Sequence, residues 1–194
     1  MPEYKILLAS QSPRRKELMS QLDIAFDVLV KDSGEEVYPN ELSYSEVPVY
    51  LARQKAQAYK DEYRNGNVLV ITADTIVCCD NEVLGKPKDK KDAVRMLQML
   101  SGNEHEVITG VVLTTADNQH TFTVSTKVFF KTLTGDEIEF YIENYKPFDK
   151  AGAYGIQEWI GMIGIERIEG SYFNVVGLPV QRLYTEIKKI INVL

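Results

Sequence analysis

A chain of 194 residues is long enough for one substantial core or, at most, two small lobes. Hydrophobic residues make up 44% and charged residues 26%, the balance of a folded globular protein, which excludes an intrinsically disordered chain. With 22 Lys+Arg against 28 Asp+Glu the formal net charge is −6, so no global field attracts a polyanion and a nucleic-acid polymer is not expected as partner. A small phosphorylated ligand needs only a local positive cluster. The longest apolar runs, such as 68–71, are far too short to span a bilayer. The start, Met1 to Lys5, leads straight into an apolar strand without the stretch of a signal peptide, which points to the cytoplasm.

In chain order, Lys5–Ala9 reads as a strand buried on both faces. Ser12 offers a helix N-cap and Pro13 suits the first helical position, predicting a helix to about Gln21. Phe26–Val30 reads as a second strand, followed by the acidic loop Asp32–Glu36. A helix from Ser45 or Glu46 places Val47, Tyr50, Leu51, Gln54 and Ala58 on one face. Val68–Cys78 is a long apolar run interrupted by Thr72, Asp74 and Thr75. Asp80-Asn81 reads as a hairpin turn into Val83-Leu84 and Gly85-Lys86-Pro87. Asp89 caps a helix carrying Ala93, Met96, Leu97 and Leu100, which Gly102 ends. Strands over about His105–Thr115 and His120–Leu133 flank a turn at Ala116–Gln119. Thr134 and Glu137 form a capping box for a helix with Ile138, Tyr141, Ile142 and Tyr145 inward. After the loop Asp149–Glu158 come two strands joined at Glu169-Gly170. The closing helix aligns Leu183, Tyr184, Ile187, Ile190, Ile191 and Leu194. Mixed βα units and antiparallel pairs, without repeat or linker, predict one α/β domain on a mixed, twisted sheet flanked by helices.

Several residues look chemical. Ser10-Gln-Ser-Pro-Arg-Arg15 joins a buried strand to a helix N-terminus, where unpaired N–H groups and partial positive charge favour phosphate oxygens. Ser10 and Ser12 add hydroxyls, and Arg14 and Arg15 add charges that are disfavoured at a helix start unless an anion offsets them. Asp74 interrupts an apolar strand, where a carboxylate is costly unless a metal or a proton transfer uses it. Glu35-Glu36 could bind Mg²⁺ or Mn²⁺ jointly with phosphates, although such loop pairs are often plain surface. Lys55 sits at the edge of an apolar helix face, Lys86 in a Gly-Lys-Pro loop, and Lys150 in Asp149-Lys-Ala-Gly152. Cys78 and Cys79 point to opposite faces and read as small buried hydrophobes; His105 and His120 read as structural, and Tyr141, Tyr145 and Tyr184 as core.

With these residues assembled, the sequence resembles the Maf family of nucleotide pyrophosphatases nearly end to end. Ile6-Leu-Leu-Ala-Ser-Gln-Ser-Pro-Arg-Arg-Lys-Glu-Leu18 is similar to its opening signature. Leu51-Ala-Arg-Gln-Lys-Ala56, Ala73-Asp-Thr-Ile-Val77, Leu84-Gly-Lys-Pro87, Leu100-Ser-Gly102 and Val176-Gly-Leu-Pro179 match later blocks in order. Asp149-Lys-Ala-Gly-Ala-Tyr-Gly-Ile-Gln157 resembles the branch acting on dTTP and UTP; an acidic residue stands at the Gln157 position in the branch acting on 7-methyl-GTP. The resemblance implies an ITPase-like fold and hydrolysis of a nucleoside triphosphate to monophosphate and pyrophosphate. It implies Asp74 as proton acceptor, Arg14, Thr75 and Gln157 as specificity residues, and Glu36, Lys55 and Lys86 near phosphates and a divalent metal. Of the acidic pair, either Glu35 or Glu36 could face the site. Two other readings stand beside this one: a house-cleaning pyrophosphatase for non-standard purine nucleotides, and a nucleotide-binding regulator of septum formation. A homodimer is left open.

Overall fold

A computed structural model describes residues 4–34, 36–64 and 66–191. Along the chain run β1 (Lys5–Leu8), α1 (Pro13–Ser20), β2 (Asp27–Val28), α2 (Val47–Gln57), α3 (Lys60–Arg64), β3 (Val68–Cys79), β4 (Glu82–Leu84) and α4 (Lys90–Leu100). Then follow β5 (Glu104–Thr114), β6 (Gln119–Phe130), α5 (Gly135–Tyr145), a 3-10 turn at Ala151–Ala153, α6 (Trp159–Gly164), β7 (Ile165–Glu169), α7 (Tyr172–Val176) and α8 (Val180–Ile190). The strands form a seven-stranded sheet in the order β2-β1-β3-β5-β6-β7, with β4 pairing β3. Pairs β1·β2 and β1·β3 are parallel, β3·β4 and β6·β7 antiparallel, so the sheet is mixed and the class is α/β, as the sequence predicts.

By its internal contacts the chain forms two compact units. One comprises Met1–Asp74, Thr109–Val124 and Gly177–Leu194; the other comprises Thr75–Ile108 and Ser125–Val176. Strands β3, β5 and β6 thread from one into the other.

In the first unit, β1 is paired along both edges, which is why Ile6, Leu7 and Leu8 are buried on either face. Leu7, Ala9, Val70 and Tyr59 close one cluster, and Ala52, Ala56 and Val112 seat α2. Thr72 Oγ1 donates to the Ala52 carbonyl at 2.8 Å, tying α2 to β3. Gly110 lets α2 approach β5 closely, since a Cβ there would lie 2.4 Å from Val49 N and 2.5 Å from Pro48 C. The expected strand Phe26–Val30 shortens to Asp27–Val28. Beyond it, the buried Tyr59 hydroxyl accepts from Lys31 N–H at 2.9 Å and donates to the Leu29 carbonyl at 3.0 Å, so a side chain takes over the pairing. Leu194, on the predicted closing stripe, lies outside the described residues, as do Met1–Glu3.

In the second unit, Asp80 and Asn81 both take positive φ (49° and 64°), the geometry of a tight two-residue hairpin. Asp89 caps α4 through Asp92 N–H at 2.8 Å, and Gly102 (φ 68°) ends that segment. Both halves of the Thr134/Glu137 capping box form. Three expectations fail: Tyr145, expected inward, is 38% exposed, and two stretches expected as strands are helical. Residues 159–164 are helical, because the Glu158 carbonyl receives the N–H groups of Gly161 and Met162. The second of the two strands joined at Glu169-Gly170 is instead α7, where Ser171 Oγ accepts from Asn174 N–H and the Asn174 amide donates to the Val107 carbonyl and Thr126 Oγ1. Apolar residues in 172–176 gave a strand pattern, but one buried amide fixes a helical turn. Cys78 and Cys79 are free and buried.

Candidate active site

Within the first unit, the sheet register sets the stage. Leu8 pairs with Ile71, and Ala9 N–H donates to the Ile71 carbonyl, so the chain leaves the sheet at Ser10 while β3 continues to Asp74. Ser10 Oγ accepts from Ser12 N–H at 3.2 Å, and Ser12 Oγ caps α1 by accepting from Arg15 N–H at 3.4 Å, with Pro13 in its first turn. The strand–turn–helix expected for anion binding is therefore formed, with Arg14 in the first turn of α1 and half-buried.

Asp74 is only 6% exposed. Lys55, projecting from α2, donates to Asp74 Oδ1 and pairs with Glu36 Oε1 at 2.8 Å, so one ammonium bridges two carboxylates. Arg15 Nη1 donates to the Ala73 carbonyl at 2.7 Å and its Nε to the Gly177 carbonyl at 2.8 Å, fixing the backbone on which Asp74 stands. Burial pushes the Asp74 carboxyl above its ordinary value, Lys55 and Arg15 pull it back, and the net effect is upward. Burial likewise lowers Arg15, against the pull of Asp74. A carboxyl raised toward working pH and ringed by cations has the properties of a general base held for phosphate chemistry.

Among the described residues no group of three or more His, Cys, Asp or Glu side chains could hold a metal by itself. Asp74 and Glu36 nonetheless both reach the Lys55 ammonium and so lie near one another, and two carboxylate donors completed by substrate phosphates are the usual protein share of a Mg²⁺ site. The residues fit a hard divalent cation of that kind. Of the acidic pair, Glu36 reaches Lys55, and Glu35 lies outside the described residues.

Thr75, Lys86 and Gln157 belong to the second unit. Thr75 is half-buried on β3. Lys86 is exposed just beyond β4, where the Gly85 carbonyl accepts from Gly152 N–H at 3.1 Å, tying this turn to the segment 149–158. Gly152 (φ 68°) is also pressed against Val77, where a Cβ would come within 3.0 Å. Gln157 is exposed in a turn closed by Glu158 N–H donating to the Gly155 carbonyl at 3.0 Å. Lys150 is buried and pairs with Glu158 Oε1 at 3.0 Å and Asp149 Oδ1 at 2.7 Å.

Sequence reasoning missed Glu158 and the hydroxyl of Tyr141. Tyr141 does lie on the buried stripe of α5, but its O–H donates to Glu158 Oε2 and accepts from Gly155 N–H at 3.0 Å. The available signal was chemical: a fully buried tyrosine must find its hydroxyl a partner. His105 is structural as expected, sharing a 2.7 Å hydrogen bond with the Tyr154 hydroxyl.

Fold and site together define an α/β enzyme that handles phosphorylated substrates, with a cation-ringed carboxylate beside a helix N-terminus. A family profile described as Maf-like protein matches residues 5–190. A dTTP/UTP pyrophosphatase of Phocaeicola vulgatus is 55% identical over 190 residues, spanning 98% of each chain. Proteins of the same description from Bacteroides thetaiotaomicron (50% over 190 residues, 98% of each chain) and Porphyromonas gingivalis (51% over 189 residues, 97% of this chain and 95% of that one) are similar as well. Among solved structures, a nucleoside-triphosphatase / dITP/XTP pyrophosphatase of Mycobacterium abscessus aligns with a TM-score of 0.48 at 14% identity, covering 98% of this chain and 100% of that one. The chain belongs to the Maf-like protein family.

Proposed function

We propose that the protein hydrolyses dTTP and UTP to the nucleoside monophosphate and pyrophosphate, with Asp74 as proton acceptor. The observation that carries the reading is the buried Asp74 clamped by Lys55, with Glu36 on the same ammonium and Arg15 fixing the backbone beneath it. The names of relatives at 50–55% identity supply the substrate class.

A triphosphate carries about four negative charges, which positive groups must offset. The Ser10–Arg15 turn places a helix N-terminus, two hydroxyls and the Arg14 charge together, with the Arg15 charge held behind them on the Ala73 and Gly177 carbonyls, and Lys55 adds a further cation. Asp74 orients a water and takes its proton as the oxygen attacks the α-phosphorus; the bond from that phosphorus to the bridging oxygen breaks, and pyrophosphate carries away the electron pair. Asp74 and Glu36 would hold a Mg²⁺ or Mn²⁺ ion, which when bound polarises phosphate oxygens and offsets leaving-group charge. Lys86 is assigned to the phosphates, and Thr75 and Gln157, with Arg14, to specificity, on the family resemblance. The amide of Gln157 offers donor and acceptor together, as the O4/N3–H edge of uracil or thymine requires. No described helix is long and apolar enough to cross a membrane, and the cytoplasm, where such triphosphates occur, is the proposed location.

The test is pyrophosphate release from dTTP, UTP, CTP and purine triphosphates, with Mg²⁺, Mn²⁺ or chelator, for wild type and Asp74→Asn. The expected pattern is metal-dependent release from dTTP and UTP that falls by about 10²-fold or more in the variant. Near-normal turnover of Asp74→Asn at saturating metal removes Asp74 as base, and a preference for purines reassigns the substrate.

A further inference from the structure

The turn that carries Gln157 is held by more than its own backbone. Gly155 N–H, at one end, donates to Tyr141 Oη at 3.0 Å; the Tyr141 O–H donates to the carboxylate of Glu158, at the other end. Glu158 is in turn paired with Lys150 Nζ at 3.0 Å, and its own N–H closes the turn onto the Gly155 carbonyl. Tyr141 thus clasps both ends of a four-residue turn whose exposed member is Gln157. The clasp is tight: a Cβ on Gly155 would sit 3.0 Å from Glu158 Cδ and 3.1 Å from Lys150 Cε. It is also rigidly founded, because Tyr141 rises from α5 fully buried and stacks on Tyr145 at 5.2 Å. Two further ties hold the same segment, through Tyr154 to His105 at 2.7 Å and through Gly152 to Gly85 at 3.1 Å. Gln157 itself makes no side-chain hydrogen bond to the described residues, so its amide stands out from a fixed backbone with donor and acceptor uncommitted.

We infer that Tyr141, Glu158 and Lys150 form a positioning set that fixes the Gln157 backbone and so sets discrimination between the uracil and cytosine edges, an inference that rests on Gln157 reading the base. None of the three needs to touch substrate. A polar group rejects the wrong edge strongly only while it cannot move to pair with it, since mismatch then leaves buried donors and acceptors unpaired. A released turn lets the base of the Gln157 side chain move, so that the amide is no longer placed for the uracil edge and cytosine, with its N4 donor and N3 acceptor, is met as readily. Loss of the clasp therefore relaxes selectivity rather than abolishing turnover.

The experiment measures kcat and KM for UTP and CTP with the full chain as wild type, Tyr141→Phe, Glu158→Ala and Gln157→Ala, with a thermal unfolding curve for each. Tyr141→Phe keeps the ring and removes only the shared hydroxyl. The expected result is a drop of about tenfold in the ratio of kcat/KM for UTP over CTP, carried by KM, in Tyr141→Phe and Glu158→Ala alike. A purely structural role lowers the active fraction for both substrates equally and leaves the ratio alone. Should Tyr141→Phe fold poorly, Glu158→Ala, at a partly exposed turn, decides the matter. If Gln157→Ala erases the preference while both clasp variants retain it, the positioning set is overturned and the base reading survives. If Gln157→Ala leaves the ratio unchanged, or the wild type shows no preference for UTP, the base reading falls and takes the clasp's purpose with it.

Discussion

His105 offers a quantitative test of the second unit's packing. Its imidazole is 3% exposed, 5.5 Å from the Phe130 ring and edge-on to Tyr154, and burial pushes it down to about 3 from an ordinary 6.5. The folded protein therefore keeps His105 neutral where the unfolded chain takes up a proton. For a base with a depressed folded value, unfolding binds protons between those two values, so stability is complete above about pH 6.5 and declines as pH falls toward 3. From pH 7.5 to 5 the unfolded chain gains about 2 kcal/mol from this one group, at about 1.4 kcal/mol per pH unit. His105→Gln keeps a polar partner for Tyr154 and cannot titrate. The variant starts less stable, having lost ring contacts, but that deficit is independent of pH. Urea unfolding followed by Trp159 fluorescence at pH 7.5, 6.5, 5.5 and 5.0 should show the gap between wild type and variant narrowing by about 2 kcal/mol. Carboxylates such as Glu186, held down at about 2 by Lys189 and Arg182, contribute equally to both proteins and cancel. Parallel stability curves would refute the reasoning and mean that His105 is protonated in the fold.

Two further outcomes follow from the first unit. Arg15→Met strips donors from the Ala73 and Gly177 carbonyls and should cost about 2–4 kcal/mol in urea unfolding without nucleotide; an unchanged midpoint would leave Arg15 with a role toward ligand alone. Gly110→Ala pushes α2, through Pro48 and Val49, back from β5 by about 1 Å, which should cost about 1–3 kcal/mol and, because Lys55 rides on α2, lower turnover by about tenfold or more. Full activity in a folded Gly110→Ala protein would show that the register of α2 does not matter to Asp74.

Much of this architecture was legible because local chemistry and global fold agree. The Thr134/Glu137 box, the Asp89 cap and the Asp80-Asn81 turn are short-range devices whose geometry a sequence states outright. Asp74 was legible as an anomaly, a carboxylate in an apolar strand, and the structure shows the partners that make it tolerable. What escaped was decided at long range. The Tyr59 hydroxyl ends β2 from 30 residues away, and the Asn174 amide turns an apolar stretch into helix by reaching Val107 and Thr126. Glu158 escaped for a related reason: its partners Tyr141 and Lys150 lie 17 and 8 positions earlier, and no periodicity links them. Glu186, on the inward side of α8 with 1% of its side chain exposed, is another case, since Lys189 and Arg182 converge to keep it charged. The −6 net charge indicated none of these clusters, because a sum is blind to arrangement.

Neither compact unit is continuous in sequence, and this governs the order in which the protein comes into being. The unit bearing Asp74 opens with Met1–Asp74 and is finished only by Gly177–Leu194. The bond from Arg15 to the Gly177 carbonyl spans 162 positions. The strand–turn–helix beneath Asp74 therefore acquires its last support only when Gly177 is in place, although β1 finds both of its strand partners, β2 and β3, much earlier in the chain. Folding of this unit therefore depends on non-local closure, which is slow by the ordinary relation of contact separation to rate. A chain truncated after α7 should carry every residue assigned to the chemistry and still be unable to assemble it.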